Sequence, residues 1–587
     1  MSTDDVPDWL SNKTLFRWHG WIGLNLGLLL FLVCFSGTIA VFSYEIDWLI
    51  DDDLQVETRG EAVNWTAMAD SIRAAYPYHN ARFFIGPRHD GFASRVLAEG
   101  PAGRAEKLYV NPYTGEVRRA ASFWNVQRFF RSFHRRMFAP NPYGIVWVTL
   151  FAFVLLGSAV TGILFYKGWY RHLFRLRWDD VRLLFSDGHR LAGVWSLAFA
   201  TVIVATGVWY GLELVAPAPS PDVPEISEEA IAERGPSPSL LGLNEQVRVA
   251  KDTFPALQVR QIIPGAPTQA TRIRGQAQAW LVRHRANRVR IDPVTGEVLS
   301  VQRGTEIGLH HRIADMADPL HFGTFGGWWS QGLWFVFGLL LSSLMLTGGW
   351  LWHLRAEKKA RAAGAGRHPR WGYGAAALPI VVILASGVFG ALEYRSYTKP
   401  NAPPAVRLGR TELGPWRAEV VRRGPIEAGR SATLDVYLFD EDGTPNPAGA
   451  TATLTCAACT DSTTVTAEMG RPLSFSLPVP ALADPSALRL GLRVEGPDGS
   501  SFDAQVPLAE QGSEKAAGGV SIEAGPAPIP TAVWLVIGAF VLLVISVVGG
   551  ALVVAQRTAR RRAEAEARAV EREARPAPVS ADLPTSE

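Results

Sequence analysis

The sequence predicts a membrane all-α helical bundle of about six transmembrane helices, carrying two external α+β modules and an external β-sandwich. Three observations predict it. Six predominantly apolar runs lie at roughly 21–43, 143–166, 190–214, 329–352, 374–394 and 531–555, each about the 20 residues a helix needs to cross the hydrocarbon. A span–module–span unit occurs twice before residue 355, and alternating strand-like runs follow residue 395. Of the 587 residues 48% are hydrophobic and 19% charged, and the apolar residues are gathered in blocks rather than spread as in soluble domains.

Residues 1–43 form a cytoplasmic N-terminus and the first span. This apolar run is too long for a signal-peptide core and has no convincing small-residue cleavage site, so it reads as an anchor. Short basic segments set the orientation. Residues 167–190 carry Lys167, Arg171, Arg175, Arg177, Arg182 and Arg190. Residues 353–373 carry Arg355, Lys358, Lys359, Arg361, Arg367 and Arg370, and the tail at 556–587 opens with RTARRR. Basic residues beside spans mark the cytoplasmic side. Both termini are therefore expected in the cytoplasm, and 44–142, 215–328 and 395–530 outside, in a multi-pass protein of a bacterial inner membrane. Trp18, Trp21, Trp169, Trp328, Trp329, Trp350 and Trp352 stand at span ends as an interfacial belt. The net charge of +3 adds little to this charge asymmetry; the apolar spans make the lipid bilayer the expected partner, and no nucleic acid is expected.

The two modules, 44–142 and 215–328, repeat each other around the second and third spans (143–214). Residues 108–117 read LYVNPYTGEV and residues 289–298 read VRIDPVTGEV; upstream, WTAMADSIRAAYP and NEQVRVAKDTFP are helix-like and end in aromatic-proline. Alternating pieces such as ARFFIG, SRVLAE and AWLVRH lie near them. Pro-x-Thr-Gly supplies a turn, with φ fixed at Pro and positive φ open to Gly. Each module thus reads as a helix on a small antiparallel sheet. Such modules with a D/N-P-x-T-G-E ending, inserted between membrane helices, resemble the PepSY domains of the PepSY-associated transmembrane family over residues 10–355. The resemblance implies a membrane oxidoreductase of ferric-reductase type, because some members look like single-subunit reductases of ferric siderophores in iron uptake.

The duplication gives four histidines meaning. His19 and His189 each precede a glycine by four residues, Gly23 and Gly193, and then Ser36-Gly37 and Thr206-Gly207 at matching spacing. His134 lies 28 residues before Gly162, and His321 lies 27 before Gly348. A pseudo-twofold axis would bring His19 towards His189 and His134 towards His321. Neutral imidazoles on facing helices suit b-type haem, so two b-type haems are expected, and small residues allow a flat macrocycle or a helix close approach. The His19–Gly37 interval is about 27 Å of straight helix at 1.5 Å per residue, which puts the haems near opposite faces. Interfacial histidines also snorkel or cap helices, and a duplicated structural hydrogen bond is the competing reading.

His172, His353 and His311 are second-choice ligands, with His310 beside them, while His79, His89, His284 and His368 read as solvated. In RFFRSFHRR, residues 128–136, Arg131 and Arg135 flank His134. They would neutralise haem propionates or receive an anionic ligand; a helix resting on lipid headgroups is the alternative.

After the fourth and fifth spans (329–394), ATLDVYLFD, ATLTC, SFSLPV, ALRLGLRVEG and SFDAQVPL predict the β-sandwich within 395–530. Cys456 and Cys459 form a CxxC that reads as a local disulfide or idle thiol pair, since further ligands for a metal are absent. The sixth span, 531–555, leads to a polar helical tail. The inner loops are too short for a nucleotide-binding βαβ unit of roughly 30 residues, and AAGAGR at 362–367 follows no strand. Electrons must come from quinol or a cytoplasmic reductant and leave to an external acceptor such as a ferric chelate; no residue is expected to act as an acid–base catalyst. A PepSY-based binding or peptidase-regulating protein without redox activity is the alternative.

Overall fold

The computed structural model describes residues 11–58, 60–100, 105–166, 168–217, 225–234, 238–362, 374–398, 405–423, 431–440, 450–456, 463–466, 473–478, 489–496, 499–507 and 526–573. Lys167, Arg367, His368, Arg370 and Cys459 lie outside them, as do the side chains of His172, His353 and Cys456.

The first half runs α1 (Asn12–Asn25), α2 (Gly27–Val41), α3 (Ser43–Ile50), α4 (Trp65–Ala75), β1 (Asn80–Ile85), β2 (Ser94–Glu99), β3 (Ala105–Val110), β4 (Val117–Ser122), α5 (Val126–Arg136) and α6 (Tyr143–Phe165). The second half repeats it as α7 (Val181–Trp195), α8 (Leu197–Val215), a short added α9 (Glu228–Glu233), α10 (Leu243–Thr253), β5 (Gln258–Ile263), β6 (Thr271–Gln276), β7 (Asn287–Ile291), β8 (Val298–Gln302), α11 (Leu309–Phe322) and α12 (Trp328–Ala362). Packing obeys the repeat. α1 lies on α6 as α7 does on α12, and α2 lies on α12 as α8 does on α6.

Among the described residues five helices are long and apolar enough to cross a membrane, and α1 and α2 pass the same test together, bent by 66° at their junction. The chain is a multi-pass membrane protein. That bend corrects the straight first span expected from the sequence. At the break, Asn25 Nδ2 donates to Trp21 O (2.7 Å); at the matching break between α7 and α8, Ser196 Oγ donates to Ala192 O (2.6 Å). Side chains that bond the carbonyl four residues back compete with the helical ladder and bend it. His19 and His189 consequently sit inside α1 and α7, ahead of the breaks, and the third apolar helix begins at Leu197 rather than near 190.

The eight strands join in one antiparallel sheet of order β4-β3-β2-β1-β5-β6-β7-β8. The sequence predicted two small sheets. They fuse because β1 and β5 pair across the pseudo-axis, Phe84 opposite Ile262 and Ile85 opposite Gln261, so neither leaves an open edge at the centre. α4 and α10 cover one face, burying Met68, Ile72, Val96, Leu108, Ile262, Ile273 and Val289. Their starts cap each other: Asn244 Oδ1 accepts from Trp65 N (2.8 Å) and Thr66 Oγ1 from Asn244 N (2.9 Å). In the NPYTG turn Asn111 Oδ1 accepts from Tyr113 N (3.0 Å). Gly115 there has φ 78°, and a Cβ on it would lie 2.6 Å from the Ala67 backbone, so only glycine fits.

The remainder comprises α13 (Gly374–Thr398), β9 (Ala405–Leu413), β10 (Trp416–Arg423), β11 (Ser431–Phe439), β12 (Thr451–Cys456), β13 (Thr463–Thr466), β14 (Leu473–Pro478), β15 (Arg489–Glu495), β16 (Ser501–Pro507) and α14 (Thr531–Glu573). Sheets β14-β11-β10-β9 and β13-β12-β15-β16 enclose a core that includes Leu434, Val436, Leu454, Phe475 and Leu490. This sandwich meets the eight-stranded unit at Tyr78, which stacks edge-on against Tyr437 (5.0 Å between centroids) and donates to Glu419. The sixth span and the polar tail are one continuous helix, α14.

Candidate functional site

The histidines paired by the duplication meet in space. The rings of His19 (α1) and His189 (α7) have centroids 6.3 Å apart at 81°. Those of His134 (α5) and His321 (α11) are 5.9 Å apart at 43°. Each pair draws one ring from each half.

The Ser/Thr-Gly dipeptides, which the sequence offered only as spacing markers, prove to be where the histidines are seated. His19 Nδ1 donates to Ser158 O (3.0 Å) and lies 3.3 Å from Thr161 Oγ1. His189 Nδ1 bonds Thr347 Oγ1 (2.9 Å), and His321 Nδ1 bonds Thr206 Oγ1 (2.8 Å). His134 Nδ1 donates to Val33 O (2.8 Å). The direction of the threonine bonds follows from proton counting. Thr161, Thr347 and Thr206 already spend their single hydroxyl proton on the carbonyls of Gly157, Ser343 and Val202 at 2.6–2.8 Å. They accept from imidazole. All four rings are therefore Nδ1–H tautomers with the Nε2 lone pair uncommitted, and among the described residues none hydrogen-bonds an Nε2. The neighbouring glycines admit the rings: a Cβ would lie 2.6 Å from His134 at Gly37, and 3.3 Å from His19 at Gly162 and from His189 at Gly348.

Each pair opens on its own cavity. The first, about 1740 Å³, is lined by His19 and His189 with Arg17, Arg177, Arg190 and Arg355 at its rim. The second, about 1220 Å³, runs from His134 and His321 up to the underside of the sheet. Both exceed the usual ~300–1,000 Å³ of small-molecule sites. An imidazole nitrogen bonds a metal at about 2 Å, so with the ring radii added, two imidazoles trans across one metal have centroids roughly 6 Å apart. The distances, the free Nε2 atoms and the room beside them leave each pair able to hold a metal-bearing cofactor. No cluster of three or more His, Cys, Asp or Glu placed to hold a bare ion occurs among the described residues.

Arg131 and Arg135 line the second cavity with His134, and Arg131 lies over the Phe322 ring (5.7 Å). Arg95, Arg260 and Arg274 line the same space from the sheet, and Arg88 from the loop between β1 and β2. Burial, with Arg272, Arg288, Arg285 and Arg290 nearby, pulls the Arg274 guanidinium down to about 10. α5 is no lipid-surface helix. Its Phe129, Phe130 and Phe133 are buried against Val533, Ile537 and Phe540 of α14.

Of the second-choice ligands and their neighbour, His310 and His311 have described side chains, and they stand apart from both pairs. His310 and His311 are neighbours on α11, with His310 edge-on to Trp209 (5.6 Å), and neither lines the two cavities. Of the histidines read as solvated, His79 is buried and His89 is only partly exposed. His79 pairs with Glu106 (3.1 Å) with both side chains buried, and His89 stacks on Trp328 (4.5 Å) beside Glu45. Sequence reading missed Asp47, which caps α5: its carboxylate accepts from Val126 N (2.9 Å) and Gln127 N (3.0 Å), while Asn125 Oδ1 accepts from Arg128 N (2.9 Å). Three of the free N–H groups at that helix start are thereby satisfied.

The chain matches the PepSY-associated TM region over residues 16–355. No curated protein matches it.

Proposed function

We propose, from the premise that this chain belongs to the PepSY-associated TM family, that it is a dihaem b-type electron-transfer protein of the bacterial inner membrane. Its acceptor lies on the sheet side and is an anionic ferric chelate such as a ferric siderophore. The observation that carries the reading is the common state of four histidines: each anchored at Nδ1 and open at Nε2. Ligating histidines are characteristically fixed this way, the second nitrogen setting tautomer and ring orientation. Haem held between the rings of each pair would supply one-electron redox chemistry.

His19 and His189 form the inlet, where the short basic loops leave access for quinol or a cytoplasmic reductant. His134 and His321 form the outlet. Recognition needs shaped surface and convergent polar groups, and the sheet side has both. Arg131 and Arg135 on α5 and Arg95, Arg260 and Arg274 on the strands gather anionic oxygens through forked hydrogen bonds. Reduction of Fe(III) to Fe(II) consumes one electron and weakens the hold of hard oxygen ligands, releasing the metal.

The reading is tested by reducing the purified protein anaerobically, removing the reductant and adding ferric citrate with an Fe(II)-specific dye. Oxidation of the protein matched by one Fe(II) per electron supports it. Protein that stays reduced beside excess ferric chelate would overturn ferric reduction.

A further inference from the structure

Residues beyond 355 lie outside the family match, yet they grip the helix that carries His134. α5 presents three faces. Arg128, Ser132 and Arg136, spaced four apart, form one stripe. All three converge on Glu393 of α13: Arg128 Nε at 3.3 Å, Arg136 at 2.6 Å, and Ser132 Oγ donating at 2.8 Å, each to Oε1. The Glu393 side chain is only 7% exposed, and Arg128 also donates to Tyr397 OH one turn along α13. Phe129, Phe130 and Phe133 form the second stripe, with centroids 5.9, 5.1 and 5.5 Å from Phe540 of α14. The third stripe holds Arg131, His134 and Arg135 and faces the cavity.

We infer that the C-terminal spans are a clamp on α5, and that Glu393 is a positioning residue for the His134/His321 site. An ionisable side chain within an apolar span is expensive to keep and marks function. Here it compensates two arginines of the same helix, Arg128 six residues before His134 and Arg136 two residues after it. Removing it leaves their charges uncompensated and half-buried, frees α5 to rotate, and adds net positive charge beside the site. Ferrous haem carries one positive charge fewer than ferric haem, so the change favours the reduced form. The inference rests on the haem reading of His134.

The test is Glu393→Gln in the full-length protein, with a spectroelectrochemical titration of both haems. At a fixed potential the reduced-to-oxidised ratio of the sheet-side haem should rise about threefold or more, while the other haem keeps its wild-type curve. Glu393→Gln combined with Arg136→Gln should bring the ratio back towards wild type, which a general loss of packing would not do. Equal shifts at both haems, or no shift with both retained, would overturn the inference. Should Glu393→Gln fail to assemble, Ser132→Ala decides. It removes one hydrogen bond from a neutral donor to the same carboxylate, and must perturb the sheet-side haem alone. Amide exchange over 126–136 separates this inference from the haem reading. If wild type binds no haem, faster exchange there in Glu393→Gln still supports the clamp, and unchanged exchange refutes it.

Discussion

His19 and His189 lie with ring centroids 6.3 Å apart, one on α1 and one on α7, although among the described residues the hydrogen bonds to each ring come from the last helix of its own half, α6 for His19 and α12 for His189. Each half anchors a ring and offers it to the other. It follows that His19→Ala and His189→Ala should remove the same haem, and His134→Ala and His321→Ala the other. Low-temperature difference spectra of the four variants check this; spectrally different losses within a pair would break the pseudo-twofold account.

The anchoring threonines should matter without touching iron. Thr347→Val keeps the shape and removes the acceptor of His189 Nδ1. Partners behind metal-ligating groups are typically worth 10–100-fold in metal affinity, so haem retention at the inlet should fall about tenfold, with the outlet unaffected. Haem transfer to an apo-globin scavenger measures it.

Two glycines make a sharper contrast. A Cβ at Gly37 would lie 2.6 Å from the His134 ring, whereas at Gly193 the nearest atom, on Leu344, is 3.8 Å away. Gly37→Ala should abolish or strongly shift the outlet spectrum; Gly193→Ala should leave both spectra unchanged. Comparable effects would mean that the fit against His134 is not decisive.

Much of this was legible in the sequence. Apolar runs and the repeated D/N-P-x-T-G-E turn gave the spans and the modules, and the duplication chose four histidines out of 12. The fused sheet was not legible, because Phe84 and Ile262 pair across a sequence distance that no local pattern records. Nor were the breaks after Asn25 and before Leu197, where one polar side chain turns on its own helix inside an unbroken apolar run. The Thr-Gly dipeptides were visible, but their role needed the neighbouring helix. Glu393 carried a usable signal as an acid near the end of an apolar run.

Arg131→Gln combined with Arg135→Gln should slow reoxidation by an anionic ferric chelate and leave reduction from the loop side intact. The difference should shrink with salt, since exposed charges are screened beyond about 10 Å at 0.1 M. Stopped-flow traces at two ionic strengths check it. Unchanged reoxidation with both haems present would confine these arginines to a structural role.

The loop of Arg88 and His89 at the second cavity should loosen in acid. Burial pushes the Glu45 carboxyl up, but hydrogen bonds from His89 and Arg88 and the Arg88 charge outweigh it and hold it below its ordinary 4.5. A depressed carboxyl contributes stability that is present above its ordinary value and lost as pH falls through the lowered one. Amide exchange at 86–93 should therefore accelerate below pH 4.5. Glu45→Gln should show the faster exchange already at neutral pH, with no acid step of its own.

The central claim is tested most directly by a dithionite-reduced minus oxidised visible spectrum of the purified protein, with haem counted per chain. About two b-type haems per chain, each with two histidine axial ligands, is the predicted result. Less than one haem per chain after expression with ample haem would contradict it, and a colourless protein would turn the account towards a PepSY-based binding role.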